Sequence, residues 1–103
     1  MILVLGDILL DKFLLNKYEK QSPEANVPIV KPNKIITRLG GAANVANNIN
    51  SLSKKYLLLS RIGSGSGDKL ILKKLSLHRI KHKLFNEKNY TVGVKKRYYI
   101  NSK

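Results

Sequence analysis

The chain contains no cysteine, which excludes a disulfide framework and any metal site built on thiolates. A reducing, cytoplasmic setting fits that absence. Acidic residues are scarce, 6 Asp and Glu against 20 Lys and Arg. The only histidines, His78 and His82, would share a face if helical, but no carboxylate lies near them in sequence and no metal is expected. Long apolar runs are missing too, with nothing near the roughly 20 residues of a membrane-spanning helix. Met1–Leu5 meets Gly6-Asp7 too soon, and without a basic start, for a signal peptide, so no membrane partner is expected. A phosphate loop of the form Gly-x4-Gly-Lys-Ser/Thr does not occur. The dinucleotide fingerprint also fails, because its third glycine position holds Asp68 in one frame and Leu70 in the other. We find no internal repeat, no low-complexity linker, no catalytic triad and no carboxylate pair suited to acid–base work.

What is present is mostly charge. The formal net charge is +14, which raises the possibility of nucleic-acid or anionic-surface binding. The lysines are spread along the whole chain, however, with no basic block and no regular basic-aromatic stripe, so ordinary lysine-filled surface accounts for them. At 103 residues the chain suits one small domain. A domain of this size buries only about 60–65% of the surface its unfolded chain exposes, which leaves a thin stability margin. A hydrophobic fraction of 43% argues against wholesale disorder.

The apolar pattern predicts an α/β order. Ile2–Leu5 is a continuous apolar run closed by Gly6-Asp7, as in a strand buried on both faces. Ile8–Lys20 mixes Leu, Phe and Tyr with charges and is ambiguous. Val27–Val30 and Ile35–Thr37 read as two short strands turning at Pro32-Asn33, a peripheral hairpin because proline cannot donate to a central ladder. After Gly40-Gly41, the positions Ala42, Val45, Ala46, Ile49 and Leu52 recur at helical spacing. Tyr56–Ile62 reads as a second core strand, Gly63–Gly67 as a loop, and Asp68 as the cap of a short helix whose apolar face is Ile71, Leu72 and Leu75. Lys83–Phe85 and Val92–Ile100 read as further strands.

Three features fall where a doubly wound fold places a ligand, at the carboxyl ends of its strands. They are Gly6-Asp7 with Asp11, Gly40-Gly41-Ala42-Ala43-Asn44 at a helix start, and the loop Gly63 to Asp68. A carboxylate such as Asp11 can accept hydrogen bonds from two neighbouring hydroxyls. Paired glycines let the backbone approach a ligand closely, and the free N–H groups of the helix that follows can receive its oxygens. Asn44 offers both donor and acceptor. Each feature also has a purely structural use: a turn or cap aspartate, a flexible joint, a polar helix face.

Taken together, Gly40-Gly41-Ala42-Ala43-Asn44-Val45-Ala46, then Ser53, then Gly63 resembles the N-terminal signature of the ribokinase-like (PfkB) carbohydrate kinases. Within that family the chain most resembles the heptose-7-phosphate kinase domain of the bifunctional enzyme of ADP-heptose synthesis. The match is carried by Gly6-Asp7 with Asp11, the stretch Ser22–Val30, the Gly-Gly-Ala-Ala-Asn run, and more weakly by Lys95 and Arg97. Asn26 stands where those kinases usually carry proline. The resemblance spans essentially the whole chain but only the front part of the family's kinase domain. It implies a three-layer α/β fold with a small β lid over about residues 13–39, the core being 1–12 and 40–103. It implies that Asp11 and Asn44 hold sugar hydroxyls, that Gly40 and Gly41 approach the sugar and form the lid joint, and that Lys95 and Arg97 meet the substrate's phosphate.

The family's chemistry rests on a later Gly-Ala-Gly-Asp element, whose helix start stabilises the transferring phosphate and whose Asp takes the proton. Gly65-Ser66-Gly67-Asp68 looks similar but lies in the wrong place, directly after the signature's closing Gly63, and is read as a structural loop. The resemblance therefore implies ATP and Mg²⁺ for the complete enzyme, a sugar phosphate substrate of lipopolysaccharide-precursor synthesis, and a possible homodimer there. For this chain it implies sugar binding without a catalytic residue and without nucleotide binding. The rivals are a small basic nucleic-acid-binding protein and a non-catalytic sugar-binding module.

Overall fold

A computed structural model of the chain describes the backbone of residues 1–21 and 28–101. Ser22–Val27, which carry much of the expected lid entrance and Asn26, lie outside the described residues. The elements in chain order are β1 (Ile2–Leu5), β2 (Ile8–Gln21), β3 (Pro28–Gly41), α1 (Ala42–Asn50), β4 (Tyr56–Ile62), α2 (Ser66–Leu77), β5 (His82–Asn86) and β6 (Gly93–Asn101). The architecture is mixed α/β, as the sequence pattern implies.

The chain divides into two compact units, one of residues 1–10 and 39–95, the other of 11–38 and 96–103. The first unit holds a parallel sheet of order β1-β4-β5, in register Val4↔Leu58 and Leu58↔His82. Parallel neighbours need crossovers, and here α1 and α2 supply them. Tyr56, Leu58, Ser60 and Ile62 are buried, while their alternating neighbours Leu57, Leu59 and Arg61 are only half-buried. The buried side packs with Val4, Ile8, Leu10, Leu39, Ala43, Ala46, Ile71, Leu75, Ile80 and Val92. Small residues at Ala43 and Ala46 let α1 lie close on β1 and β4. The Tyr56 hydroxyl, buried with its ring, accepts the Lys81 N–H at 2.9 Å.

The second unit is built on a sheet of order β3-β2-β6. Ile8–Gln21, ambiguous in the sequence, is one continuous strand. The expected hairpin is corrected: Pro32-Asn33 is not a turn, and Pro28–Gly41 runs as a single strand. The physical reason is that β3 is an edge strand, so an extended proline loses no ladder bond on its open side.

Three details in and around the helices also differ from expectation. Asp68 does not cap α2, which starts at Ser66 with Gly65 as its N-cap and no side-chain cap bond. Leu72, Val45 and Leu52, placed by spacing on apolar faces, are 39%, 49% and 87% exposed. His78 and His82 do not share a helical face, since α2 ends at Leu77 and His82 opens β5.

Candidate functional site

The parallel pairing of β1 with β4 brings their carboxyl ends to one edge of the sheet. There the turn after β1 meets the start of α1. The Ala42 N–H donates to the Asp7 carbonyl at 3.0 Å. Gly41 adopts φ 61°, and a Cβ on it would overlap the Asp7 carbonyl oxygen. Glycine is required here twice over, by conformation and by the close approach of a second backbone. No side chain caps α1; the Asp7 carbonyl takes the place of a cap for the Ala42 amide. Asn44, third in the helix, is exposed, while Gly40 is buried. The structure thus brings together Gly6-Asp7, Gly40, Gly41 and the helix carrying Asn44.

The other expected site residues lie as follows. Asp11 is half-buried on β2 and belongs to the second unit, as does exposed Arg97 on β6. Exposed Lys95 is two residues earlier on β6, in the first unit.

Asp7 faces Arg61: the guanidinium Nε donates to its Oδ1 at 3.2 Å, and another guanidinium nitrogen donates to Glu87 Oε2 at 3.0 Å. Arg61 also lies over the Tyr90 ring, 4.1 Å from the centroid. The hydrogen bonds that Arg61 donates to Glu87 and then to Asp7 raise its pKa, so it is a fixed cation clamped by two carboxylates. Beneath it the Ser60 hydroxyl donates to the Gly6 carbonyl at 2.6 Å, tying β4 to the β1 turn. A cavity of about 260 Å³ opens beside this cluster, lined by Leu5, Gly6, Asp7, Leu59, Ser60, Arg61 and Phe85.

Gly65-Ser66-Gly67-Asp68 is closed to catalysis. Asp68 is fully buried. Its carboxylate accepts the Gly63 N–H at 2.6 Å, the Thr91 hydroxyl at 2.6 Å and the Val92 N–H at 3.2 Å. Burial alone would raise its pKa, but the bonds from Thr91, Gly63 and Val92 outweigh burial and hold it below the ordinary carboxylate value. A carboxylate held ionised by three donors and sealed from solvent cannot accept a proton from a substrate hydroxyl. It locks the loop after β4 to the segment before β6. Gly63 packs so tightly there that a Cβ would overlap the Tyr90 carbonyl.

Among the described residues no three His, Cys, Asp or Glu side chains come together to hold a metal ion. Asp7 and Glu87 are paired with Arg61, and Asp68 is saturated. No helix among the described residues is long and apolar enough to cross a membrane.

Sequence reasoning missed one cluster, in the second unit. Phe13, Leu15, Ile36, Arg38 and Tyr99 line a cavity of about 210 Å³. The Phe13 and Tyr99 rings are stacked at 6.2 Å, and the Arg38 guanidinium lies 5.8 Å from the Phe13 centroid. The signal was available: once Ile8–Lys20 is read as a strand, its alternation places Asp11, Phe13 and Leu15 on one face.

No protein-family model matches the chain. In sequence it is 48% identical over 80 residues to the bifunctional protein HldE of Blochmanniella pennsylvanica, an alignment covering 78% of this chain and 17% of that protein. It is 44% identical over 81 residues to the bifunctional protein HldE of Actinobacillus pleuropneumoniae, covering 79% of this chain and again 17% of the relative. In structure it resembles a carbohydrate kinase from Agrobacterium tumefaciens, with a TM-score of 0.70, 15% identity, and coverage of 96% of this chain and 31% of that one. It also resembles the ribokinase of Giardia lamblia, with a TM-score of 0.69, 12% identity, and coverage of 97% and 30%. The chain spans less than a third of these kinases and 17% of the HldE proteins. The chain is thus similar in sequence to the HldE proteins over most of its own length and shares its fold with part of the ribokinase-like carbohydrate kinases.

Proposed function

We propose that this chain forms the sugar-binding portion of an ATP-dependent heptose-phosphate kinase that serves lipopolysaccharide-precursor synthesis, and that alone it binds the sugar phosphate without turning it over. The observation that carries this reading is the contact of the Gly41-Ala42 helix start with the Asp7 carbonyl, which fixes the start of α1, with Asn44 in its first turn, beside the turn after β1 at the carboxyl edge of the sheet. Hydroxyl-rich ligands suit such a place, because backbone N–H groups and an asparagine amide can meet several oxygens at once. The identity with the HldE proteins supports a heptose substrate.

In this reading Asp11 and Asn44 hold sugar hydroxyls, Gly40 and Gly41 lie against the sugar, and Lys95 and Arg97 meet its phosphate. The base that removes the proton and the groups that hold ATP and Mg²⁺ belong to the complete enzyme, which would work in the cytoplasm and could pair as a homodimer. Nothing in the charge distribution favours nucleic acid as the ligand, since the lysines are dispersed.

Calorimetric titration tests the reading. D-glycero-D-manno-heptose 7-phosphate should bind the 103-residue chain in the absence of ATP, and Asn44→Ala should weaken it by about ten- to hundredfold, the usual weight of a lost hydrogen bond in a site. ATP-dependent consumption of the heptose phosphate by the isolated chain would contradict it, as would binding indifferent to Asn44→Ala.

A further inference from the structure

The amino edge of the parallel sheet lies opposite the carboxyl edge described above, and the ends of both helices meet there. The Lys55 carbonyl accepts the Ile2 N–H at 2.8 Å where β1 and β4 begin, and the Lys81 carbonyl accepts the Leu58 N–H at 3.0 Å just before β5. The Asn50 side-chain amide, at the end of α1, donates to the His78 carbonyl, at the end of α2, at 3.2 Å. The Lys81 ammonium donates to the Lys54 carbonyl at 2.6 Å. These bonds gather Lys54, Lys55, Arg79 and Lys81 on one edge, all exposed, although the sequence keeps the two pairs far apart. Leu52 and Leu77, at the same two helix ends, are 87% and 75% exposed.

We infer that this edge is a docking surface for an acidic segment of another protein, whose carboxylates meet the cations and whose apolar side chains cover Leu52 and Leu77. Charge is the first support. The carboxylates of the first unit are Asp7, Asp68 and Glu87. Asp7 and Glu87 pair with Arg61 and Asp68 is buried and saturated, so among the described residues none serves the amino edge. The backbone of Arg79 is the second support. It follows the C-cap His78 with φ 54°, its N–H bonds the Ser76 carbonyl at 3.1 Å, and the Ile80 N–H bonds the Leu75 carbonyl at 2.9 Å. Glycine is favoured at that place in such a helix-ending turn, because a Cβ is disfavoured there. The chain thus carries a guanidinium where the fold alone prefers glycine. Third, the cations are available. The Lys54 ammonium turns back to the Asn50 carbonyl and Oδ1 at 3.2 and 2.9 Å, and that of Lys81 to Lys54, which fixes both with N–H groups to spare. Among the described residues the side chains of Lys55 and Arg79 make no hydrogen bond or ion pair.

The exposed leucines decide the class of partner. A nucleic-acid backbone would use the cations but leave Leu52 and Leu77 in water. Bases would also want an exposed ring to stack on, and Tyr56, which opens β4 here, is buried. A bilayer surface calls for a broad apolar helix face, whereas these are single side chains at two helix ends. A second copy would set cation against cation across a two-fold contact. A polypeptide that intersperses carboxylates with apolar side chains answers both features.

The test is fluorescence anisotropy of the 103-residue chain with two labelled peptides of equal length, one of glutamate, alanine and leucine, the other of glutamate alone. Saturable binding of the first is expected, weakening as salt is raised. Arg79→Gly combined with Lys55→Gln should weaken it by about tenfold or more. Lys69→Gln combined with Lys88→Gln removes as much charge away from this edge and should leave it unchanged. Leu52→Ser combined with Leu77→Ser should weaken the leucine-bearing peptide and spare the all-glutamate one. Arg79→Gly should not lower the thermal midpoint, since glycine suits the turn, so its lost binding is not lost folding. Arg79→Asn, also suited to that backbone, repeats the measurement. A parent chain that binds neither peptide overturns the inference, and so does an Arg79→Gly, Lys55→Gln chain that binds like the parent. Equal weakening by the Lys69→Gln, Lys88→Gln pair would reduce the effect to net charge and overturn it too. Single-stranded RNA or phosphatidylglycerol vesicles that bind more tightly than the peptide, and are lost with Arg79→Gly and Lys55→Gln, would give the edge to those partners instead. None of these variants touches Gly40, Gly41 or Asn44, so the sugar-binding reading stands or falls separately.

Discussion

At the residue scale two side-chain decisions hold the site's framework. Gly41 combines a left-handed φ of 61° with a carbonyl where a Cβ would stand. Gly41→Ala should therefore lower unfolding stability by about 1–3 kcal/mol, the range for strained backbone, and should weaken sugar binding in the same variant. Urea denaturation with a parallel titration checks both, and an unchanged denaturation midpoint would show that the turn tolerates a side chain. Asp68 is the second decision. It is a buried charge satisfied by Gly63, Thr91 and Val92, and removing it orphans those donors. Asp68→Ala should cost about 2–4 kcal/mol, a large share of a small domain's margin. Its pH signature has a definite sign. The folded pKa lies below the unfolded one, so the folded state binds fewer protons. The stabilisation is complete above about pH 4 and disappears as the pH falls through the folded value. Urea midpoints measured from pH 7 to pH 3 should fall with acid, and Asp68→Asn should flatten that fall. Equal acid sensitivity in parent and variant would assign the effect to other carboxylates.

Among the elements, legibility followed the strength of the local pattern. β1 and β4 were plain because each contains a short apolar run of strand length, Ile2–Leu5 and Tyr56–Leu59, although Leu3 and Leu5 lie on an exposed face and not under cover on both sides. The start of α1 was plain because two glycines interrupt the chain just before a helical repeat of small residues. β2 was obscured because its partly covered faces mix charge with Leu, Phe and Tyr, so neither period dominates. β3 was split in two because proline signals a turn locally, whereas an edge strand can absorb it. Asp68 looked like a helix cap by spacing, yet its partners Thr91 and Val92 lie more than twenty positions on, and no local pattern announces so distant a bond. For the same reason the site was half legible. The Gly40-Gly41-Asn44 corner came from contiguous residues, while the Phe13–Arg38–Tyr99 cluster is assembled from three strands.

On the scale of the whole chain, Leu3, Leu5 and Phe85 are 56%, 72% and 55% exposed on the parallel sheet of the first unit, although parallel sheets are ordinarily covered on both faces. Apolar surface of this kind promotes association. Light scattering should show the 103-residue chain associating as concentration rises, and Leu5→Lys combined with Phe85→Lys should suppress it. A parent chain that stays monodisperse would show that this surface is harmless as it stands. The same scale carries the central claim, that strand ends and a double-glycine helix start serve one hydroxyl-rich ligand. Amide chemical-shift mapping of the isotope-labelled chain during titration with heptose 7-phosphate addresses it most directly. The account predicts saturable shifts at Asp11, Gly40, Gly41 and Asn44 with a common affinity. Shifts confined to scattered surface lysines, or Asp11 and Asn44 responding with different affinities, would contradict it.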